Sequence, residues 1–184
     1  MKDAWPHRGH LRPWVLGHRG ARRLALENTL DAFERAMALG ADGVELDVRL
    51  SRDGVVMVLH DPDLARITEG RDSRAVADLS AQELGQIELN RGARIPTLHE
   101  VLSWATGRGA LLNVELKSDA VPLRPLARAV HRTCCEAYPD HGPKLVLSSF
   151  HVGLLMYLKA LGTKHEFAWL TRRQQTYVKG APLA

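Results

Sequence analysis

Cysteine is scarce in this chain, and what there is does not read as chemistry. The 184 residues include 2 cysteines, Cys134 and Cys135, adjacent in a segment of helical pattern. A disulfide between neighbours would be strained, and the pair lacks the spacing of a metal site, so both read as packing residues in a reducing compartment. Long apolar runs are missing too, which excludes a membrane span. Residues 1–13 mix charge, His and Pro without the apolar stretch of a secretion signal, so they read as an N-terminal tail on a soluble, cytoplasmic protein. No phosphate loop, dinucleotide fingerprint, nucleophile elbow or H-E-x-x-H helix occurs, and no internal repeat or low-complexity tract. The net charge is +4, with the basic residues scattered. That pattern argues against nucleic acid as a partner and is compatible with a small anionic substrate.

What is present is the alternation of an α/β domain. Six apolar runs read as strands: Trp14 to Gly17, Gly43 to Leu50, Val55 to Leu59, Leu111 to Leu116, Leu145 to Leu147 and Phe167 to Leu170. A first helix should start at Asn28 or Thr29 and stop at Gly40. Ser80 with Glu83 and Thr97 with Glu100 have the spacing of capping boxes. Further helices are expected from Pro125 to Tyr138 and from His151 to Leu161. Between Pro62 and Arg94 the apolar period weakens, which reads as a small insertion (residues 62–94) within one domain spanning 14–184.

Asp53-Gly54 separates the second and third runs and signals a tight hairpin, since a parallel crossover needs many more residues. With these two as the central turn residues, Asp47 would oppose His60 and place a carboxylate and an imidazole on one face.

Four strand candidates carry ionisable residues at or near their ends: His18-Arg19, Glu45-Leu46-Asp47, His60-Asp61 and Glu115-Leu116-Lys117. Core packing gives no reason for this, whereas a site at one rim of a sheet does. Residues i and i+2 of a strand share a face, so Glu45 pairs with Asp47, and Glu115 with Lys117. Three converging carboxylates need compensation, because desolvation and repulsion raise their pKa values. A divalent cation would supply it, and an all-oxygen donor set points to Mg²⁺ or Ca²⁺. The ammonium of Lys117 is the competing source of positive charge. His18 and His60 would flank such a cation as a pair of proton carriers, and Arg19 suits a phosphate.

These motifs, His18-Arg19-Gly20, Glu27-Asn28-Thr29, Glu45-Leu46-Asp47, Asp53-Gly54 to His60-Asp61, and Glu115-Leu116-Lys117, resemble in kind and order those of the glycerophosphodiester phosphodiesterase family. Ile95-Pro96-Thr97-Leu98 and Ser148-Ser149-Phe150 resemble two further segments of it. The resemblance implies a TIM-type (β/α) barrel of the phospholipase C-like kind; the chain departs from it at its C-terminal end, where it offers about six of the eight strands. It implies Glu45, Asp47 and Glu115 as metal ligands, His18 and His60 as the acid/base pair, and Arg19 and Lys117 as holders of phosphate. The reaction implied is hydrolysis of a glycerophosphodiester to sn-glycerol 3-phosphate and an alcohol. An inactive fragment that binds phosphodiesters or a partner, and a lysophospholipid-cleaving relative, are the competing expectations. Residues 171–184 offer no further strand, and an open barrel edge would invite self-association.

Overall fold

The computed structural model describes residues 13–119, 122–137 and 144–171. The expected tail and the chain beyond residue 171 therefore lie almost wholly outside the described residues, as does Tyr138. The elements run β1 (Leu16–His18), α1 (Leu30–Ala38), β2 (Gly43–Leu50), β3 (Val56–Val58), α2 (Ala81–Gly85), α3 (Leu98–Arg108), β4 (Leu111–Leu116), α4 (Leu123–Ala137), β5 (Leu145–Ser149), α5 (Val152–Ala160) and β6 (Glu166–Trp169).

Five strands are parallel, in the order β1-β2-β4-β5-β6, while β3 returns antiparallel along the end of β2. Among the described residues the sheet is open between β1 and β6. The described residues form part of a barrel wall, with five strands in the barrel direction and the sixth as a hairpin return.

The alternation along β2 assigns its two faces. Val44, Leu46 and Val48 are fully buried against Phe33, Leu98, Leu102, Leu112 and Val114 in the layer between sheet and helices. Each such side chain contributes about 1.5–3 kcal/mol of burial. The intervening Glu45, Asp47 and Arg49 take the other face. Gly43 lets β2 approach β4, because a Cβ there would meet the Leu111 carbonyl oxygen at 2.0 Å.

Local signals fix the helix starts. Thr29 caps α1, its hydroxyl accepting from Ala32 N–H. Both capping boxes form, Ser80 with Glu83 and Thr97 with Glu100, and Gly109 closes α3 in the left-handed region. Asn28 is not the cap. It has a positive φ of 57° and a different task.

The insertion is more ordered than its weak period suggests. Besides α2 it holds two single 3₁₀ turns, Val76–Asp78 and Asn90–Gly92. Leu64, Ile67, Val76, Leu79, Leu84 and Leu89 gather with Met57, Leu59 and Ile95 into a second apolar core. Irregular backbone spaces these residues without a fixed period, so periodicity could not reveal them.

The hairpin register differs from the expected one. The structure pairs Val48 with Val58, Arg49 with Met57 and Leu50 with Val56. Ser51 N–H bonds to Val55 C=O, so Arg52, Asp53 and Gly54 form a three-residue loop with Gly54 at φ 79°. One extra loop residue shifts the ladder by one. Leu59 N–H, not that of His60, reaches the Asp47 carbonyl at 3.0 Å. His60 follows the end of β3 in a turn, held by other means.

Candidate active site

Parallel register assembles the polar face row by row. His18 lies beside Glu45, and Glu45 beside Asn113; one step further along the strands, Asp47 lies beside Glu115, and Glu115 beside Ser148. Residues from β1, β2 and β4 thus meet although they are up to about a hundred positions apart in sequence. Ligand oxygens of Glu45, Asp47 and Glu115 lie within 4.8 Å of one another. The Asp47 side chain is 1% exposed, and those of Glu45 and Glu115 are 12% exposed.

So tight an acidic group carries an electrostatic cost. Desolvation, with Asp47 and then Glu115 nearby, pushes the Glu45 carboxyl up to about 7, against the pull of the Arg19 N–H. Lys117 offsets part of the charge: its Nζ lies 2.6 Å from Glu115 Oε1 and 2.9 Å from Asp47 Oδ1. Burial works against this ammonium, but the Asp47 and Glu115 carboxylates beside it outweigh that and hold it above the usual lysine range. The offset is incomplete. Asp47 Oδ1 is buried without a hydrogen bond of acceptable direction despite the nearby ammonium, and so is Arg19 Nε, 3.1 Å from Asp47 Oδ2. A lone pair left in this way among three carboxylates suits a hard divalent cation, and the oxygen-only donor set agrees.

Arg19 has a backbone φ of 57°, and its N–H bonds both to the Glu45 carbonyl at 2.9 Å and to Glu45 Oε2 at 3.1 Å. The sharp turn depends on Gly20, where φ is 79° and a Cβ would come 2.6 Å from the Ala32 carbonyl carbon. His18 Nε2 lies 3.7 Å from Glu45 Oε2. Burial, then Arg19 and Arg22, lowers the His18 pKa and favours the neutral imidazole.

His60 is positioned from two directions. Arg49 Nε donates to its carbonyl oxygen at 2.7 Å, and its Nδ1 bonds Asp61 Oδ1 at 2.6 Å. All seven expected site residues therefore sit at the same end of the sheet. Glu45, Asp47, Glu115, Lys117, Arg19 and His18 form one contact cluster, and His60 joins it through intermediates.

Two residues that support this cluster had roles the sequence did not show. Asn28 was legible as a helix cap and as part of the Glu27-Asn28-Thr29 segment, but not as a partner of Asp47: its side-chain amide N–H donates to Asp47 Oδ2 at 3.0 Å and its side-chain Oδ1 accepts from Asp47 N–H at 3.3 Å. Arg49 is 2% exposed and also grips Asp119, through its carbonyl at 3.0 Å and its carboxylate at 2.9 Å. Its place on the polar face, two residues beyond Asp47, was the available signal. Trp169, at the end of β6, is 62% exposed.

A sequence profile of the Glycerophosphoryl diester phosphodiesterase family matches residues 18–181. The chain belongs to that family. A glycerophosphodiester phosphodiesterase of Caldanaerobacter subterraneus is 36% identical over 146 residues, covering 74% of this chain and 58% of the relative. One from Bacillus altitudinis is 33% identical over 180 residues, covering 91% and 72%. Among solved structures, the Thermotoga maritima glycerophosphodiester phosphodiesterase is 37% identical with a TM-score of 0.71, covering 90% of this chain and 65% of its own. An Oleispira antarctica phosphodiesterase in complex with the product sn-glycerol-3-phosphate is 30% identical with a TM-score of 0.78, covering 85% and 65%. The chain thus spans 58% of the Caldanaerobacter family member and 65% of these two solved chains. No helix among the described residues is long and apolar enough to cross a membrane.

Proposed function

We propose that this chain hydrolyses glycerophosphodiesters to sn-glycerol 3-phosphate and an alcohol, with a divalent cation, Mg²⁺ or Ca²⁺, held by Glu45, Asp47 and Glu115. The observation that carries the reading is the convergence of those three carboxylates beside His18 and Arg19, on a fold whose Oleispira relative was solved with sn-glycerol-3-phosphate. When bound, the cation would supply positive charge for the non-bridging phosphate oxygens as the phosphorus becomes five-coordinate.

The protein's own groups do the rest. Arg19 and Lys117 present donors to the phosphate and keep the acidic cluster from repelling it. One imidazole of the His18 and His60 pair takes the proton of the attacking water; the other gives a proton to the departing alkoxide as its bond to phosphorus breaks. Asn28 fixes the Asp47 carboxylate, which then keeps its place as charge shifts around it. An open sheet edge, if it persists in solution, would also support self-association, which sedimentation would detect.

The test is release of glycerol 3-phosphate from glycerophosphocholine by the purified chain, followed with a coupled dehydrogenase. Turnover should need added Mg²⁺ or Ca²⁺, stop with chelator, and be lost in both His60→Ala and Glu45→Ala. Metal-independent turnover that survives both substitutions refutes the proposal.

A further inference from the structure

The proposed mechanism does not use Arg66, which lies in the insertion. It sits between Leu64 and Ile67, both buried in the insertion's own core, so its Cα is anchored although half of its side chain is exposed. The turn around it is closed by Leu64 N–H to Arg74 C=O and by Thr68 N–H to Leu64 C=O. From this base the guanidinium reaches out of the insertion to two carboxylates on different parts of the barrel. Its Nε donates to Asp61 Oδ2, and its Nη2 donates to Glu27 Oε1 at 2.6 Å.

Each acceptor is shared with a site residue. Asp61 uses its other oxygen, Oδ1, to hold His60 Nδ1 at 2.6 Å, and the Glu27 oxygen that accepts from Arg66 also accepts from Arg19 Nη1 at 3.1 Å. A continuous path results: His60, Asp61, Arg66, Glu27, Arg19, Asp47. Burial works against charge on Asp61, but its bonds to His60 and Arg66 outweigh this and keep the carboxyl below the usual range. Ionised, it can only accept, so the His60 proton belongs on Nδ1, and Nε2 is left without a protein partner among the described residues.

We propose that Arg66 is a positioning residue: by fixing Asp61 it sets the tautomer and ring orientation of His60, and through Glu27 it couples that ring to the phosphate-binding Arg19. The inference rests on the reading of His60 as one of the two proton carriers. A salt bridge serving only the fold predicts something else, because a bridge from a half-exposed arginine contributes little stability and its loss should leave His60 unchanged. The fork matters as well. Arginine offers two N–H directions fixed in one plane to two acceptors, whereas a lysine ammonium is a point charge without that fork.

The test uses the full chain labelled with ¹⁵N-histidine, in the wild type, Arg66→Ala, Arg66→Lys and Asp61→Asn, with His60→Gln to assign the His60 signals. Two-bond ¹⁵N–¹H correlations should show the His60 proton on Nδ1 in the wild type and a mixture of tautomers in Arg66→Ala and Asp61→Asn. In the same proteins kcat for glycerophosphocholine should fall about tenfold in Arg66→Ala with KM within about twofold. Combining Arg66→Ala with Asp61→Asn should cost no more than Asp61→Asn alone. The melting temperature should move by no more than about 4 °C. Arg66→Lys, which folds with its charge intact, should restore only part of kcat. An unchanged His60 spectrum in Arg66→Ala, or additive losses in the double variant, overturns the inference. If the wild type releases no glycerol 3-phosphate while its His60 tautomer still depends on Arg66, the proposed function fails and the positioning role stands.

Discussion

Glu45 offers the sharpest quantitative handle on the acidic cluster. Its carboxyl rises from an ordinary 4.5 to about 7 because the folded protein desolvates it beside Asp47 and Glu115. The folded state therefore holds a proton that the unfolded chain has released between these two values. That stabilisation is complete below pH 4.5 and is lost as pH rises through 7, at a cost of about 3 kcal/mol in metal-free protein. Coordination requires the ionised carboxylate, so the same proton must leave when metal binds. At pH 6 roughly nine-tenths of the Glu45 population is protonated and at pH 8 roughly one-tenth, which makes the affinity for Mg²⁺ or Ca²⁺ about tenfold greater at pH 8. Calorimetric titration in buffers of differing ionisation enthalpy should find about 0.9 proton released per ion at pH 6 and about 0.1 at pH 8. Glu45→Gln keeps an oxygen donor and should remove both the release and most of the pH dependence. Equal affinities at the two pH values with no proton release at pH 6 would refute the reasoning.

Other consequences are local. Gly20→Ala forces a Cβ into the Ala32 backbone at a left-handed φ, and urea unfolding should show a loss of at least about 2 kcal/mol. Arg49→Met keeps the bulk but leaves the buried end of β2 without its donors, so stability should fall by about 1–3 kcal/mol, and kcat should fall with it as His60 loses its backbone anchor. A stability equal to wild type would show that the buried guanidinium is dispensable. Cys134 is buried, which pushes its thiol up to about 12, while Cys135 is exposed. A thiol-specific chromogenic reagent should therefore modify one cysteine in the folded chain and both in urea; two rapid equivalents in the native state would contradict the packing of α4.

Local rules carry far here because several of the signals are self-contained. Both capping boxes, the Thr29 cap and the strand–helix alternation follow from residues within a few positions of one another, and the structure keeps each of them. The i, i+2 spacing in β2 and β4 likewise committed Glu45 and Asp47, and Glu115 and Lys117, to shared faces whatever the rest of the chain did. Legibility ended where a single residue of loop length mattered. Asp53-Gly54 announced a hairpin, but Arg52 joined the loop and moved the ladder by one, so His60 reached its place by a route other than strand pairing.

By itself, then, the sequence determined the chemistry on offer: which acids, imidazoles and cations stand at strand ends, and which of them share a face. Tertiary structure alone decided how those groups meet. The row from His18 through Glu45 to Asn113 exists only because β2 lies between β1 and β4, and Gly43 lets it lie close. Asn28, Arg49 and Arg66 became site-supporting residues only once turns distant in sequence had packed together. The reason is physical: backbone geometry sets a side chain's direction within a few residues, whereas charge, desolvation and hydrogen-bond partnership depend on neighbours brought in by folding.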